Sequence, residues 1–171
     1  MNTHVFIYDG FVSFEIMLAT YLMKTQGEII TVGLNANPVR SYEDFDVVPK
    51  VELSQINSDE VSLFIIPGGD HTDLQSNPQL ISFLQNLDAK QKCIAAICSA
   101  VNLLEHAGIL ADRQHVGNVG NTDLVRVDKH IITAKPNGYV DFSIEIGKAF
   151  NIYADEDDLL ETIDFFRNFK G

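Results

Sequence analysis

The stretch Lys92-Cys-Ile-Ala-Ala-Ile-Cys-Ser-Ala-Val-Asn-Leu-Leu-Glu-His-Ala-Gly108 changes its period halfway along. Its first half is a continuous apolar run, as in a strand buried on both faces, and its second half is a helix closed by Gly108. A buried strand that passes straight into a helix predicts an α/β fold, and Cys98 stands at the corner. A side chain at such a corner projects from the carboxyl end of the sheet, where the first amides of the following helix favour an anion. The positions two before and two after it, Ala96 and Ala100, are both small. Tight packing around a sharp strand-to-helix turn requires small residues there, as in a nucleophile elbow. Cys98 is therefore the candidate reactive atom.

Outward from this corner, short β-branched runs alternate with helical segments, the pattern of a mainly parallel sheet covered on both faces. Strands are expected at Thr3 to Tyr8, Glu28 to Gly33, Val61 to Pro67, Lys92 to Ile97 and Lys129 to Ala134. Phe14, Met17, Leu18, Tyr21 and Leu22 share one helical face, and so do Leu80, Phe83, Leu84 and Leu87 after Asn77-Pro78. Both faces are expected to be half-buried. Another helix follows from Gly138 to Phe150. The last one starts at Asp155-Glu-Asp-Asp, carries the stripe Leu159, Leu160, Ile163, Phe166 and Phe169, and ends near Arg167 and Lys170, in line with the helix dipole. Between Asn37 and Gln55, Val39 to Tyr42 and Asp46 to Val51 can pair around Glu43-Asp44, with Pro49 suited to an edge ribbon.

The 171 residues, 46% hydrophobic and 21% charged, fit one domain over 1–171 with a substantial core. A net charge of −12 with scattered Lys and Arg opposes binding to nucleic acid or an anionic bilayer. The N-terminal run is too short for a signal core, and no apolar stretch approaches the roughly 18 to 20 residues of a membrane span. A cytoplasmic protein is expected. Cys93 and Cys98, five apart along one strand direction, point to opposite faces about 16 Å apart and cannot bridge each other. Two free thiols fit a reducing compartment.

Taken alone, a free cysteine is most often a small buried hydrophobe, the reading that suits Cys93. Ile65-Ile66-Pro67-Gly68-Gly69-Asp70 follows another buried strand; by itself Pro-Gly-Gly is an ordinary turn. Beside a nucleophile, though, glycines at a strand end can turn backbone N–H groups toward a developing oxyanion. Glu15, at a helix start on the same sheet edge, can simply favour the dipole; facing the thiol, it can hydrogen-bond the thiolate and carry a proton. Asp9 and Glu15 make the first loop a poor flavin-phosphate cradle, and no cofactor is expected. No histidine follows Cys98; His106 suits dipole compensation, and His4 and His130 fall in or beside strands. His71 alone follows a candidate site loop. Asp70-His71-Thr72-Asp73 reads as a solvated turn rather than a metal site.

Taken together, the opening strand with its loop to Glu15, Ile65-Ile66-Pro67-Gly68-Gly69, Ala96-Ile97-Cys98-Ser99-Ala100, Leu103 to Leu110, and Ile131-Ile132-Thr133 leading to Asp141-Phe142 resemble the ThiJ/PfpI family. This family lies within the class I glutamine amidotransferase-like superfamily. The resemblance covers nearly the whole chain. It implies a flavodoxin-like three-layer sandwich, usually a homodimer, with Cys98 as reactive cysteine and Glu15 beside it. It implies further that the Gly69 and Ser99 amides form an anion pocket, with Gly68 shaping the turn. Protease-like members place histidine directly after the cysteine, where this chain has Ser99. Others place one in the strand after the elbow helix; Gly117 and Asn118 are nearest here, with His115 slightly before. His71 and Asn118 are expected to line the site.

Two function classes follow from that resemblance. In one, a cofactor-independent enzyme of glyoxalase, deglycase, hydratase or amidase type lets Cys98 attack a small electrophile while Glu15 moves the proton. In the other, a non-catalytic stress sensor or protective chaperone, an oxidant converts Cys98 to a sulfinate stabilised by Glu15. Either route requires an accessible thiol of low pKa.

Overall fold

The computed structural model describes residues 1–117, 120 and 122–171. The strands are β1 (Asn2–Phe6), β2 (Glu28–Gly33), β3 (Val39–Arg40), β4 (Asp46–Val47), β5 (Val51–Glu52), β6 (Leu63–Ile66), β7 (Cys93–Ile97), β8 (Val125–Asp128) and β9 (Ile131–Ala134). The helices are α1 (Phe14–Met23), α2 (Pro78–Ala89), α3 (Val101–His106), α4 (Tyr139–Ala149) and α5 (Glu156–Phe166). Seven strands form one sheet in the order β5-β2-β1-β6-β7-β9-β8, parallel throughout except for β8 against β9. β6 and β9 are buried at every residue, as a sheet covered on both faces requires. α1 packs with α4, and α2 with α3, which completes the three layers of the expected α/β sandwich.

The chain runs outward from β1 to β2 and then returns to β6 on the other side of β1. Ligand crevices in open α/β sheets form outside the carboxyl ends of the strands at such a switch. The first loop, the Pro67-Gly68-Gly69 turn and the β7 corner all meet at this edge.

Three expectations need correction. The buried face of α1 is Glu15, Ile16, Ala19, Leu22 and Met23, whereas Phe14, Met17 and Tyr21 are each more than half exposed. Both sides of this helix are apolar, so periodicity alone could not choose between them. Only contact with the sheet and α4 decides. Second, Val51 is not an arm of the ribbon. β3 and β4 do pair, Val39 with Val47 and Arg40 with Asp46, around Asp44 at φ +68°. The chain then leaves the ribbon, and β5 joins β2 in parallel. Third, no residue of α5 is buried, and Phe169 lies beyond the helix, 88% exposed. Its acidic start stands where expected, and Asp155 also caps it, accepting from the Asp158 N–H at 2.9 Å. β8 was not anticipated: its Val-Arg-Val-Asp sequence is short and half-exposed, and pairing with β9 is what makes it a strand.

Candidate active site

At the end of β7, Ile97 is extended and Cys98 switches to φ +60° before a short 3-10 turn leads into α3. A side chain in the left-handed region is held there against local preference by the surrounding packing. Ala96 and Ala100 are fully buried against this corner, which leaves the Cys98 sulfur half-buried and facing the sheet edge. α3 has six residues, so the amide support for an anion reduces to Ser99, whose backbone N–H favours a charged sulfur.

Glu15 lies in the first turn of α1 and is 2% exposed, its side chain turned inward against the sheet edge. Its Oε2 accepts from the Gly68 N–H at 2.8 Å, and the carboxyl stands beside Cys98: a Cβ on Gly68 would lie 2.7 Å from Oε2 and 2.9 Å from the sulfur. The start of α1 is held from elsewhere. Glu43, at the tip of the β3–β4 ribbon, accepts from the Ser13 N–H at 3.1 Å and the Phe14 N–H at 3.2 Å, and the Ser13 hydroxyl makes no cap of its own.

The two glycines have separate tasks. A Cβ on Gly68 would sit 2.6 Å from the Cys98 Cβ, 2.7 Å from Glu15 Oε2 and 2.9 Å from the sulfur, so the missing side chain is what lets acid and thiol meet. Gly69 has φ +141° and crosses the first loop so closely that a Cβ would stand 2.3 Å from the Gly10 carbonyl oxygen. Its N–H donates to Ser99 Oγ at 3.0 Å, and the same hydroxyl donates back to the Gly69 carbonyl at 2.9 Å. The Gly69 amide expected in the anion pocket is thus engaged by the Ser99 side chain. An anion reaching that amide must share it with, or displace, the hydroxyl.

Electrostatics depart from the expected low-pKa thiol. Burial pushes the Glu15 carboxyl up, Glu43's charge adds to this, and the bonds from Cys98 and Gly68 oppose it. Burial also pushes the Cys98 thiol up, followed by the charge of Glu15 and the hydrogen bond to it, with Ser99 working the other way. Two acids in contact release their protons in coupled steps. The Cys93 thiol, partly buried at the start of β7 rather than sealed in the core, is pushed up to about 12 by burial.

Cys98, Glu15, Gly68, Gly69 and Ser99 come together. His71 is buried just past Gly69, but its Nδ1 meets the Gln75 side chain at 3.2 Å rather than the pair. His115 is also buried, its Nδ1 accepting from the Gly117 N–H at 3.1 Å and lying 3.9 Å from Glu105. Asn118 lies outside the described residues. Asp70, in the turn read as solvated, accepts from the N–H and hydroxyl of Thr72. Sequence reasoning missed two contributors. Glu43 gave no local signal, since its partners are about thirty residues away, and Ser99 was considered for its amide rather than its hydroxyl.

A model of the DJ-1/PfpI family matches residues 1–148. The chain belongs to the DJ-1/PfpI family. It is 26% identical to protein dj-1beta of Drosophila melanogaster, covering 84% of this chain and 86% of that one. It is 21% identical to a deglycase of Thermococcus kodakarensis, covering 74% and 77%. Among solved structures, a DJ-1 superfamily protein of Agrobacterium tumefaciens superposes with a TM-score of 0.85 at 18% identity, over 99% of this chain and 100% of that one. Within this DJ-1/PfpI protein, α5 lies beyond the span that the family model matches. No helix among the described residues is long and apolar enough to cross a membrane.

Proposed function

We propose that this DJ-1/PfpI protein is a thiol-dependent enzyme acting on small electrophilic carbonyl compounds, with Cys98 as nucleophile and Glu15 as proton carrier. The observation that carries the reading is the buried Glu15 carboxyl, pinned by the Gly68 amide and set beside the Cys98 sulfur. Its raised proton affinity suits a general base working near neutrality, and the deglycase names of several relatives support the same substrate class.

With methylglyoxal, the Cys98 proton passes to Glu15 as sulfur attacks the aldehyde carbon, and Glu15 returns it to the new oxygen. Glu15 then removes the hydrogen from that carbon as a proton and delivers it to the neighbouring carbon. The aldehyde carbon loses the electron pair that the ketone carbon gains, the proton on the former aldehyde oxygen passes to the former ketone oxygen, and a lactoyl thioester results. Water releases lactate and restores the thiol. Ser99 faces the sulfur as a donor while charge develops.

The test incubates the protein with methylglyoxal and follows substrate loss and lactate formation. Glu15→Gln keeps an acceptor for the Gly68 N–H but cannot exchange a proton. Turnover is expected to fall by roughly 10²- to 10⁴-fold, and the pH profile of Cys98 alkylation to change. Identical alkylation profiles would remove Glu15 from the mechanism. The same variant has a stability signature. A carboxyl whose folded pKa lies above its unfolded one contributes stability below the unfolded value and loses it as pH rises through the folded value. The melting temperature of Glu15→Gln relative to wild type is therefore expected to increase between pH 4 and pH 8.

A second reading has its own support: Cys98 is partly exposed beside a carboxyl whose proton affinity is raised and which, when protonated, can donate to an oxidised cysteine. Two equivalents of hydrogen peroxide would add two oxygens to the sulfur and leave two waters, giving a sulfinate. A two-oxygen mass gain confined to Cys98, with no lactate from methylglyoxal, selects this reading.

We infer also that the chain forms a homodimer. Phe14, Met17, Tyr21, Phe45, Phe165 and Phe169 are each 51% to 88% exposed, and an apolar cleft runs between α1, the ribbon, α4 and the C-terminal segment. Aromatic side chains cover about 150 to 250 Å² each, so this face offers on the order of 700 Å², close to one partner's share of a standard interface. Sedimentation equilibrium is expected to give twice the chain mass for wild type, with Met17→Glu shifting it to the monomer. A monomeric wild type overturns the inference.

A further inference from the structure

We propose that Glu43 is a positioning residue for the Cys98–Glu15 pair: from the ribbon tip, its carboxylate fixes the first turn of α1 and so holds the Glu15 carboxyl over the sulfur. The proposal rests on the reading of Cys98 and Glu15 as a working pair.

Three geometric facts support it. The first N–H groups of a helix need acceptors, and the residue in the cap position, Ser13, makes no cap hydrogen bond with its side chain. Glu43 supplies both acceptors, one carboxylate oxygen to Ser13 and the other to Phe14, the residues immediately before Glu15. The ribbon that carries Glu43 is itself fastened to the loop leading into α1. The Gly10 N–H donates to the Arg40 carbonyl at 2.7 Å, the Arg40 N–H to Asp9 at 2.9 Å, and the Tyr42 N–H to the Phe11 carbonyl at 2.8 Å. A displacement of the ribbon is therefore transmitted to Glu15.

Charge acts in the same direction. Around Glu15 stand Cys98 from the end of β7, the Gly68 N–H from the end of β6, Tyr8 from the first loop and Glu43 from the ribbon. Around Glu43 stand the Ser13 and Phe14 amides, its own N–H and the Ser41 hydroxyl; although burial opposes it, these bonds hold Glu43 ionised below the usual carboxylate range. The neighbouring cation Arg40 pairs with Asp46 and Asp44. Glu43 is thus a fixed negative charge at the start of α1, and it raises the proton affinity of Glu15.

The experiment measures Cys98 alkylation by iodoacetamide against pH for wild type, Glu15→Gln, Glu43→Gln and Glu43→Asp, with melting temperatures in parallel. Removing the Glu43 charge is expected to move the inflections of the pair down by roughly half a pH unit, the size of a moderately screened charge interaction. Glu43→Asp, which keeps the charge, is expected to retain the wild-type inflections at a slightly lower melting temperature. If Glu15→Gln changes the profile while Glu43→Gln titrates as wild type, the positioning role fails and the pair survives. If Glu43→Asp shifts as far as Glu43→Gln, the charge assignment fails. If Glu15→Gln itself titrates as wild type, the pair is what fails.

Discussion

Replacing Cys98 with serine is expected to abolish both reactions of the site while the fold survives. A serine hydroxyl fills nearly the same volume, but its proton is far more tightly held, and Glu15 is too weak a base to ionise it. Lactate formation from methylglyoxal is expected to fall at least about a thousandfold, as when a nucleophile is removed from a catalytic unit. Alkylation gives an internal control. Wild type is expected to take up one label under native conditions, since the partly buried Cys93 thiol is pushed up to about 12. Cys98→Ser is expected to take up none, and peroxide is expected to add no oxygen at position 98. Unchanged lactate formation in this variant would remove the thiol from the chemistry and the proposed enzyme with it.

Gly68→Ala is expected to be nearly as damaging for a different reason. Gly68 does not have a positive φ, so its backbone can accept an alanine; space is what is missing. The added methyl would fall within 2.9 Å of the Cys98 Cβ, the sulfur and Glu15 Oε2, the three atoms whose contact defines the site. Relief requires the acid and the thiol to separate, and misplacement of reacting groups by about 1 Å can cost on the order of a hundredfold in rate. Overpacking of this kind costs about 1 to 3 kcal/mol, so the melting temperature is expected to fall by roughly 3 to 10 °C. A folded Gly68→Ala with wild-type turnover and alkylation would show that the observed clearance is not needed.

The Glu15–Cys98 contact explains why the reactive group had to be sought in position rather than in residue type. Of the two cysteines, Cys93 opens the same strand that Cys98 closes. Four residues of strand separate a partly buried thiol at the start of β7 from one at the sheet edge. The sequence distinguished them because the small residues Ala96 and Ala100 and the change of period mark the corner. The pairing with Glu15 was suggested by their common sheet edge, although 83 positions separate them in the chain. Only folded geometry shows the carboxyl buried and set beside the sulfur.

The sequence alone determined the order of β1, β2, β6, β7 and β9 with the helices among and after them, the elbow at Cys98 and the Pro67-Gly68-Gly69 turn, because each is written in local periodicity, residue size and turn chemistry. Tertiary structure decided which face of α1 is buried, whether Val125–Asp128 is a strand, how the Ser99 hydroxyl engages Gly69, and that Glu43 anchors the helix carrying Glu15. The physical reason is common to all four. Each depends on contact between segments distant in the chain, and neither the period of an apolar pattern nor the type of a side chain specifies its distant partner.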